Sequence, residues 1–146
     1  MSIKQNKELI RQYCIDYNQL GADVAKIRPL HERYFPAGFV VHSLERGDRN
    51  REQSIEFQVS RVSAFPDMKV TIDDMVAEGD KVAVKYTSLG THKATFVGIP
   101  ATGKQIVGKG VEIYRISAGK IAEIWVFPDS LGMMTQLGAI PSAAKK

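Results

Sequence analysis

The stretch Trp125-Val-Phe-Pro-Asp-Ser-Leu-Gly-Met-Met-Thr-Gln-Leu-Gly-Ala139 decides the fold of this chain. Its first residues have the apolar pattern of a β-strand, and the residues after Pro128 begin a short helix over 130–137. Asp129 lies at this junction, four residues after Trp125. Two interpretations are open. The carboxylate caps the helix by accepting first-turn N–H groups, or it lies with the indole in an apolar pocket, where burial disfavours its charged form.

The β-pattern continues N-terminally from this stretch through the second half of the chain. Apolar residues alternate or run continuously over 69–78, 81–92, 105–117 and 121–128, which predicts four strands. The connections at Gly79 and Gly119 are tight, so the strands they join are expected to form antiparallel hairpins. Residues 95–103 form a longer loop.

The first half of the chain has helical periodicity instead. The spacing of apolar residues predicts helices over 4–19, over 24–34 with a kink or restart at Pro29, and from Arg51 to about Phe65. A short strand is expected at 39–42 and a charged loop at 44–50. Helices followed by strands indicate an α+β fold, with N-terminal helices packed on one face of a curved antiparallel sheet. A single domain is expected over residues 1–146.

Both faces of the predicted sheet are apolar, which is typical of strands that are buried on two sides. The helices can cover only one face, so we expect a homodimer joined through the other. Alternation places Val107, Val111, Ile113, Ile124 and Val126 on the expected dimer face, and Ile106, Tyr114, Ile116, Ile121, Trp125 and Phe127 on the opposite face.

Composition excludes several classes of function. The 146 residues are 44% hydrophobic and 25% charged, as in ordinary globular proteins. The net charge is +4, but the basic residues alternate with acidic ones, so no nucleic-acid partner is expected. The lone Cys14 excludes an internal disulfide, and the three histidines have no zinc-ligand spacing. No signal peptide or membrane-spanning run is visible, so we expect a cytoplasmic protein.

Seven short motifs give the chain a resemblance to a known family. They are Ala64-Phe-Pro-Asp67, Val76-Ala-Glu-Gly-Asp80, Gly90-Thr-His92, Gly98-Ile-Pro-Ala-Thr-Gly-Lys104, Gly110-Val-Glu-Ile-Tyr-Arg115, Gly119-Lys-Ile-Ala-Glu-Ile-Trp125 and Asp129-Ser-Leu-Gly-Met-Met-Thr-Gln-Leu-Gly138. Through these motifs the chain resembles the SnoaL-like polyketide cyclases, within the NTF2-like (cystatin-like) and ketosteroid-isomerase-like superfamily, from about residue 6 to residue 139.

The resemblance implies a cone-shaped pocket between the helices and the concave sheet face, a homodimer, and chemistry without a metal or coenzyme. It also implies that an aspartate just beyond the tryptophan strand acts as acid/base in an intramolecular aldol ring closure, a position that Asp129 matches. Glu112 falls where isomerase-type relatives place a protonated carboxyl group facing the pocket.

The candidate catalytic residues are therefore Asp129 and Glu112, with His42 and His92 as proton relays or as structural, hydrogen-bonded histidines. His31 is expected at the surface, and Cys14 in the core. The predicted pocket opens near residues 94–103. Its expected lining is Trp125, Phe127, Tyr114, Tyr17 and Tyr13.

The predicted function is acid/base chemistry on a small hydrophobic or aromatic carbonyl compound, by aldol-type cyclisation or isomerisation. An epoxide or lactone hydrolase in which Asp129 activates water is the alternative enzyme. A ligand-binding dimeric module without turnover is the alternative of another class. A buried Asp129 with a raised pKa, and Glu112 within reach of it across an open cavity, would favour an enzyme. A cone filled by side chains, with Asp129 bonded to backbone N–H groups, would favour the module.

Overall fold

The computed structural model describes residues 2–141 and has the α+β class expected from the sequence. The helices are α1 (Ile3–Asn18), α2 (Ile27–Tyr34), α3 (Arg51–Ala64) and α4 (Ser130–Leu137), with a 3₁₀ turn at Val24–Lys26. The strands are β1 (Val40–Ser43), β2 (Arg49–Asn50), β3 (Lys69–Glu78), β4 (Lys81–Thr91), β5 (Gln105–Ser117) and β6 (Lys120–Pro128).

Local sequence signals set the ends of the helices. Ser2 and Gln5 form a reciprocal capping box at the start of α1, and Asn50 and Gln53 form the same arrangement at the start of α3. Pro29 lies in the first turn of α2, where a backbone N–H has no helical acceptor, so the helix restarts after the 3₁₀ turn without a kink. None of the helices within residues 2–141 combines the length and hydrophobicity that a membrane crossing requires.

The six strands form one sheet in the order β2-β1-β6-β5-β4-β3. The pairs β3–β4, β4–β5 and β5–β6 are antiparallel. The tight turns at Gly79 and Gly119 predicted this for β3–β4 and β5–β6, whereas β4 and β5 are joined by a longer loop. The expectation of a wholly antiparallel sheet is wrong, because β1 runs parallel to β6, with Val41 opposite Ile124. The chain crosses over through α3 and the β3–β5 meander between these two strands, so no tight turn constrains their relative direction.

The predicted orientation of β6 is also wrong, because the β5–β6 ladder contains a bulge. Its register shifts by one residue after the pair Ile116–Ile121, so that Tyr114 pairs with Ile124. One extra residue on a strand moves every later side chain to the other face. Ile124 and Val126 consequently face the helices, whereas Trp125 and Phe127 lie on the outer face.

The core fills the space between α1, α2 and the concave face of the sheet. Ile10, Ile27 and Ile121 are fully buried there, and the rings of Phe35 and Phe39 stack with centroids 4.0 Å apart. A second cluster joins the end of α3 and the 92–104 loop to α4; it consists of Ala64, Phe65, Phe96, Ile106 and Leu137. The core therefore lies at two ends of the sheet and leaves room between them.

Gly110 is required where β5 passes β6. A methyl group at this position would lie 2.9 Å from both the carbonyl oxygen of Phe127 and the Cα of Pro128, and 2.7 Å from the hydroxyl of Tyr86. The backbone contacts cannot be relieved by a side-chain rotation, so the strands would have to separate.

We predict that Gly110→Ala lowers the free energy of unfolding by about 1–3 kcal/mol, the usual cost of overpacking. Urea denaturation measures the change. Gly38→Ala is the matched control, because a Cβ there meets no atom within 4 Å and should leave stability nearly unchanged. Equal stability of the two variants would contradict the close approach at Gly110.

Candidate active site

A cavity of about 210 Å³ lies between the helices and the concave face of the sheet. Its helical wall comes from α1 and α3, and its sheet wall from the inward-facing residues of β4, β5 and β6. The loop 92–104 adds Phe96, and the start of α4 forms part of the opening. The polar side chains that line it include Tyr13, Tyr17, Tyr86, Tyr114, Glu112 and Asp129.

Glu112 is the carboxyl group inside this cavity. It faces inward from β5, and its Oε2 accepts a short hydrogen bond from the hydroxyl of Tyr114, two residues along the same strand. Desolvation by burial raises the pKa of Glu112, and the opposing effects of Tyr114, Arg61 and Arg49 do not cancel this rise. A carboxyl group with a raised pKa can donate a proton near neutral pH, which an ordinary carboxylate does poorly.

Four tyrosines surround this carboxyl group. Burial raises the pKa of Tyr13 and Tyr114 well above the ordinary value, and burial followed by the charge of Glu112 raises that of Tyr86 to about 12. They are therefore neutral hydroxyl donors at physiological pH. The Tyr17 hydroxyl donates to Gln58 Oε1 at 2.9 Å. Within residues 2–141, the hydroxyls of Tyr13 and Tyr86 donate to no protein acceptor, so both can bind a ligand oxygen.

Asp129 lies at the opening of the cavity and is exposed. Its Oδ1 accepts the backbone N–H of Gly132 at 2.9 Å, so the carboxylate caps α4. Pro128 pairs with Gly110, and the N–H of Asp129 donates to the carbonyl oxygen of Lys109, so Asp129 lies one strand across from Glu112 and three residues along the sheet. At about 3.3 Å of rise per residue and about 4.8 Å between strands, the two backbones are separated by roughly 11 Å. Gly110 lies between them on β5, and the hydroxyl of Tyr86 lies over it.

His42 lies outside the cavity, on the outer face of the sheet. Its Nε2 lies 2.6 Å from Glu123 Oε2, its Nδ1 lies 3.1 Å from Asp48 Oδ1, and its ring stacks on Trp125. Glu123 also accepts a 2.6 Å hydrogen bond from Arg115 Nε. The structure therefore places His42 in a polar network with no contact to the cavity.

His92 is fully buried and lines the second core cluster, not the cavity. Its Nδ1 accepts the backbone N–H of Thr102 at 3.2 Å, and its ring stacks on Phe65. Two backbone hydrogen bonds between His92 and the segment 103–104 close the loop. This arrangement fits the structural interpretation of His92.

The expectation that His31 lies at the surface is wrong. It is 1% exposed, with Nδ1 3.0 Å from the carbonyl oxygen of Ile27 and Nε2 3.1 Å from Ser54 Oγ. Burial lowers the pKa of His31, so the ring is neutral at physiological pH. It forms part of the cavity wall.

Of the five predicted pocket residues, Tyr13, Tyr17 and Tyr114 line the cavity. The placement of Trp125 and Phe127 there is wrong, since the bulge turns both to the outer face. The sequence interpretation missed the residues that α3 contributes, because it followed the apolar stripe through Val59, which is exposed. The polar and aromatic stripe beside it, at helical spacing, was the available signal; it consists of Ser54, Phe57, Gln58 and Arg61.

The positions of the histidine, cysteine, aspartate and glutamate side chains also determine whether the described residues can bind a metal ion. Across residues 2–141, no group of three or more histidine, cysteine, aspartate or glutamate side chains converges in a way that could hold a metal ion.

Comparison with known proteins gives a family match over most of the chain. The model of the SnoaL-like polyketide cyclases matches residues 22–137. The aklanonic acid methyl ester cyclases DnrD of Streptomyces peucetius and DauD of Streptomyces sp. (strain C5) are each 40% identical over 60 residues, or 41% of this chain. These matches span only 41% and 37% of the two relatives.

Solved structures share the fold over nearly the whole chain. AclR of Streptomyces galilaeus, for which a hydroxylase activity has been suggested, is 24% identical with a TM-score of 0.86, covering 99% of this chain and 87% of AclR. IdmH of Streptomyces antibioticus, suggested to be a polyketide cyclase, is 26% identical with a TM-score of 0.75, covering 92% of this chain and 99% of IdmH. The fold is therefore the NTF2-like α+β cone.

The network around His42 predicts a pH-dependent contribution to stability. The hydrogen bond to Glu123, together with Asp48, raises the pKa of His42, and His42 followed by Arg115 lowers that of Glu123. A raised histidine pKa contributes stability that is complete below the unfolded value of about 6.5 and is lost as the pH rises through the folded value.

We predict that His42→Gln lowers the free energy of unfolding more at about pH 6 than at about pH 9, where wild-type His42 is neutral in both states. Urea denaturation at the two pH values measures the difference. A loss of the same size at both values would show that the imidazole contributes by stacking on Trp125 and not by its charge.

Proposed function

The chain belongs to the SnoaL-like polyketide cyclase family, and from this membership we propose that it catalyses acid/base chemistry on a small hydrophobic or aromatic carbonyl compound. The proposed reaction is an aldol-type ring closure or an isomerisation, without a cofactor. The observation that carries the proposal is the desolvated carboxyl group of Glu112, with a raised pKa, inside a tyrosine-lined cavity. A carboxyl group of this kind in a cleft is typical of a catalytic site.

In the proposed reaction, the carbonyl oxygen of the substrate lies against Glu112 and accepts a hydrogen bond from its protonated carboxyl group. Asp129 removes a proton from the carbon next to a carbonyl group. The resulting carbanion attacks the carbonyl carbon that faces Glu112, and the carboxyl proton moves to the new hydroxyl oxygen. One proton has then been taken at Asp129 and one given at Glu112, and exchange with water at the opening restores both.

The positions of the two carboxyl groups suit their separate roles, with Asp129 as the base and Glu112 as the acid. Glu112 is desolvated within the cavity, whereas Asp129 is exposed at its opening. The separation of roughly 11 Å between their backbones allows a bicyclic or similar compound in the cavity to reach both groups. Tyr86, whose hydroxyl lies over Gly110, can hydrogen-bond to a second oxygen of the substrate.

The relatives support this class of reaction. DnrD and DauD are cyclases named for a methyl ester of a polyketide acid, and the 60-residue match to each is 40% identical. A hydrolase in which Asp129 activates water would use the same two carboxyl groups, so the named activity of the relatives, and not the geometry, favours the ring closure. A binding module without turnover would not need a carboxyl group with a raised pKa facing the cavity, which is costly to bury.

Proton abstraction can be measured without the natural substrate, by deuterium incorporation next to the carbonyl group of 1-tetralone in D₂O. We predict that the wild-type protein accelerates this exchange, and that Glu112→Gln slows it by about 100- to 10,000-fold, the usual effect of losing a positioned acid or base. Asp129→Asn is expected to slow it by a similar factor with little change in melting temperature, because asparagine also caps helices.

The outcomes separate the alternatives. If Asp129→Asn leaves the exchange rate unchanged, Asp129 only caps α4, and its assignment as the base is wrong. If the wild-type protein binds 1-tetralone but does not accelerate exchange, the chain is a binding module. Glu56→Gln is the matched control, since it makes the same carboxyl-to-amide change on an exposed side chain of α3 that does not line the cavity.

We also propose that the protein acts as a homodimer joined through the outer face of the sheet, and that it does so in the cytoplasm, as its lone cysteine suggests. The bulge changes the composition of the expected dimer face, which includes Trp125 and Phe127 and excludes Ile124 and Val126. The exposed apolar side chains on this face are Val76, Leu89, Val107, Val111 and Phe127. Exposed apolar side chains gathered on one sheet face mark an interaction surface.

We predict a dimer at micromolar concentration by light scattering, and a monomer for Val111→Lys, since a lysine on β5 would bury a charge at the centre of the interface. Leu44→Lys is the control, because Leu44 is 90% exposed in the β1–β2 loop and should leave the dimer intact. A wild-type monomer would contradict the proposed interface.

A further inference from the structure

Two arginines from the β1–β2 segment reach the cavity without a carboxylate partner. Arg46 and Arg49 place their guanidinium carbons 5.0 and 4.5 Å from the ring centroid of Phe57, and all three side chains line the cavity. Considering residues 2–141, neither arginine forms a salt bridge. Two nitrogens of Arg49, Nε and Nη1, are buried, and no atom of residues 2–141 accepts a hydrogen bond from them.

This arrangement differs from that of the arginines that form salt bridges. Arg61, which also lines the cavity, has no salt bridge among residues 2–141 either, but its Nη2 donates to Met68 Sδ at 3.3 Å. Arg28 lies 2.6 Å from Glu52, and Arg115 lies 2.6 Å from Glu123. Arg49 instead loses hydration and faces a second cation, and burial followed by the charge of Arg46 lowers its pKa. Guanidinium groups stay protonated under physiological conditions, so the charge of Arg49 is retained at a cost in stability. A buried charge without a partner is typical of a site whose ligand supplies the opposite charge.

The carboxyl groups of the cavity do not supply that charge. Glu45 accepts a hydrogen bond from Ser130 Oγ at 2.8 Å, and Asp129 is bonded to the N–H of Gly132. Glu112 is hydrogen-bonded to Tyr114, and its raised pKa favours the neutral form. None of these carboxyl groups forms a salt bridge with Arg46 or Arg49, so, within residues 2–141, both guanidinium groups beside Phe57 lack a carboxylate partner in the cavity.

We propose that the cavity selects carbonyl compounds that carry a free carboxylate, which the guanidinium group of Arg49 binds. Phe57 holds the guanidinium plane by stacking, and Arg46 adds a second positive charge from the opening. This inference rests on the proposed function, since it defines the substrate class of the same cavity, and it separates this chain from DnrD and DauD, which are named for a methyl ester. The carboxylate lies at the Phe57 side, so that the carbonyl groups of the compound extend toward Glu112.

A matched pair of ligands tests the charge requirement directly. The fluorescent probes 2-naphthoate and methyl 2-naphthoate differ only in whether the carboxylate is free, and their binding is measured without turnover at about pH 7.5, where the free acid is ionised. We expect the wild-type protein to bind the acid about tenfold more tightly than the ester, because a charge-assisted bidentate hydrogen bond is lost with the ester.

Arg49→Gln is expected to weaken binding of the acid about tenfold and to leave binding of the ester unchanged. Arg49→Lys, which keeps the charge, should retain part of the preference. Arg11→Gln removes an exposed arginine that pairs only with Glu8, and serves as the control for net charge. The melting temperatures of the unliganded variants show whether each one folds.

Equal affinity of the wild-type protein for acid and ester overturns the inference, and this comparison needs no variant. An unchanged acid preference in Arg49→Gln also overturns it. These outcomes are independent of the proposed function, because the exchange of 1-tetralone depends on Glu112 and can occur whether or not the cavity prefers an acid.

Discussion

The bulge between β5 and β6 is the constraint on which the site depends. One extra residue after Ile121 turns Ile124 and Val126 toward the helices, and it turns Trp125, Phe127 and Glu123 outward. The same register places Pro128 opposite Gly110 and so fixes where α4 begins at the opening of the cavity. Without the bulge, the large aromatic side chains would fill the cone, and the polar cluster of His42 would have no partner on the outer face.

Maintaining an open cavity costs the protein part of its core. The buried hydrophobic clusters lie at two ends of the sheet, and glycines and tyrosines line the space between them. Glu112 is desolvated in that space, and Arg49 is buried with unpaired donors, so both reduce stability as long as the site has no ligand. Binding of a compound that satisfies these groups would offset this cost, since a ligand specific to the native state stabilises it.

The parts of the structure determined by local patterns could be predicted from the sequence. The alternation over 105–117 and the tight turn at Gly119 predicted the β5–β6 hairpin, and Asp129 was correctly placed at a strand–helix junction. The bulge could not be predicted, because Ala122 has no feature that distinguishes it from a regular strand residue. The parallel pairing of β1 with β6, and the burial of His31 against Ser54, depend on contacts between distant segments. The sequence of 44–50 predicts a charged loop, and it gives no sign that Arg49 turns inward, because that orientation depends on the contact with Phe57 of α3.

The pairing of the first strand with the last has a consequence for synthesis of the chain. His42 and Glu123, which touch across β1 and β6, are 81 positions apart in the sequence. A nascent chain that ends before residue 120 has α1–α3 and the β3–β5 meander, but it lacks one wall of the cavity and the partner strand of β1. The site therefore does not exist until β6 and α4 have been translated, and a truncation before residue 120 removes the site while most of the helices and strands remain.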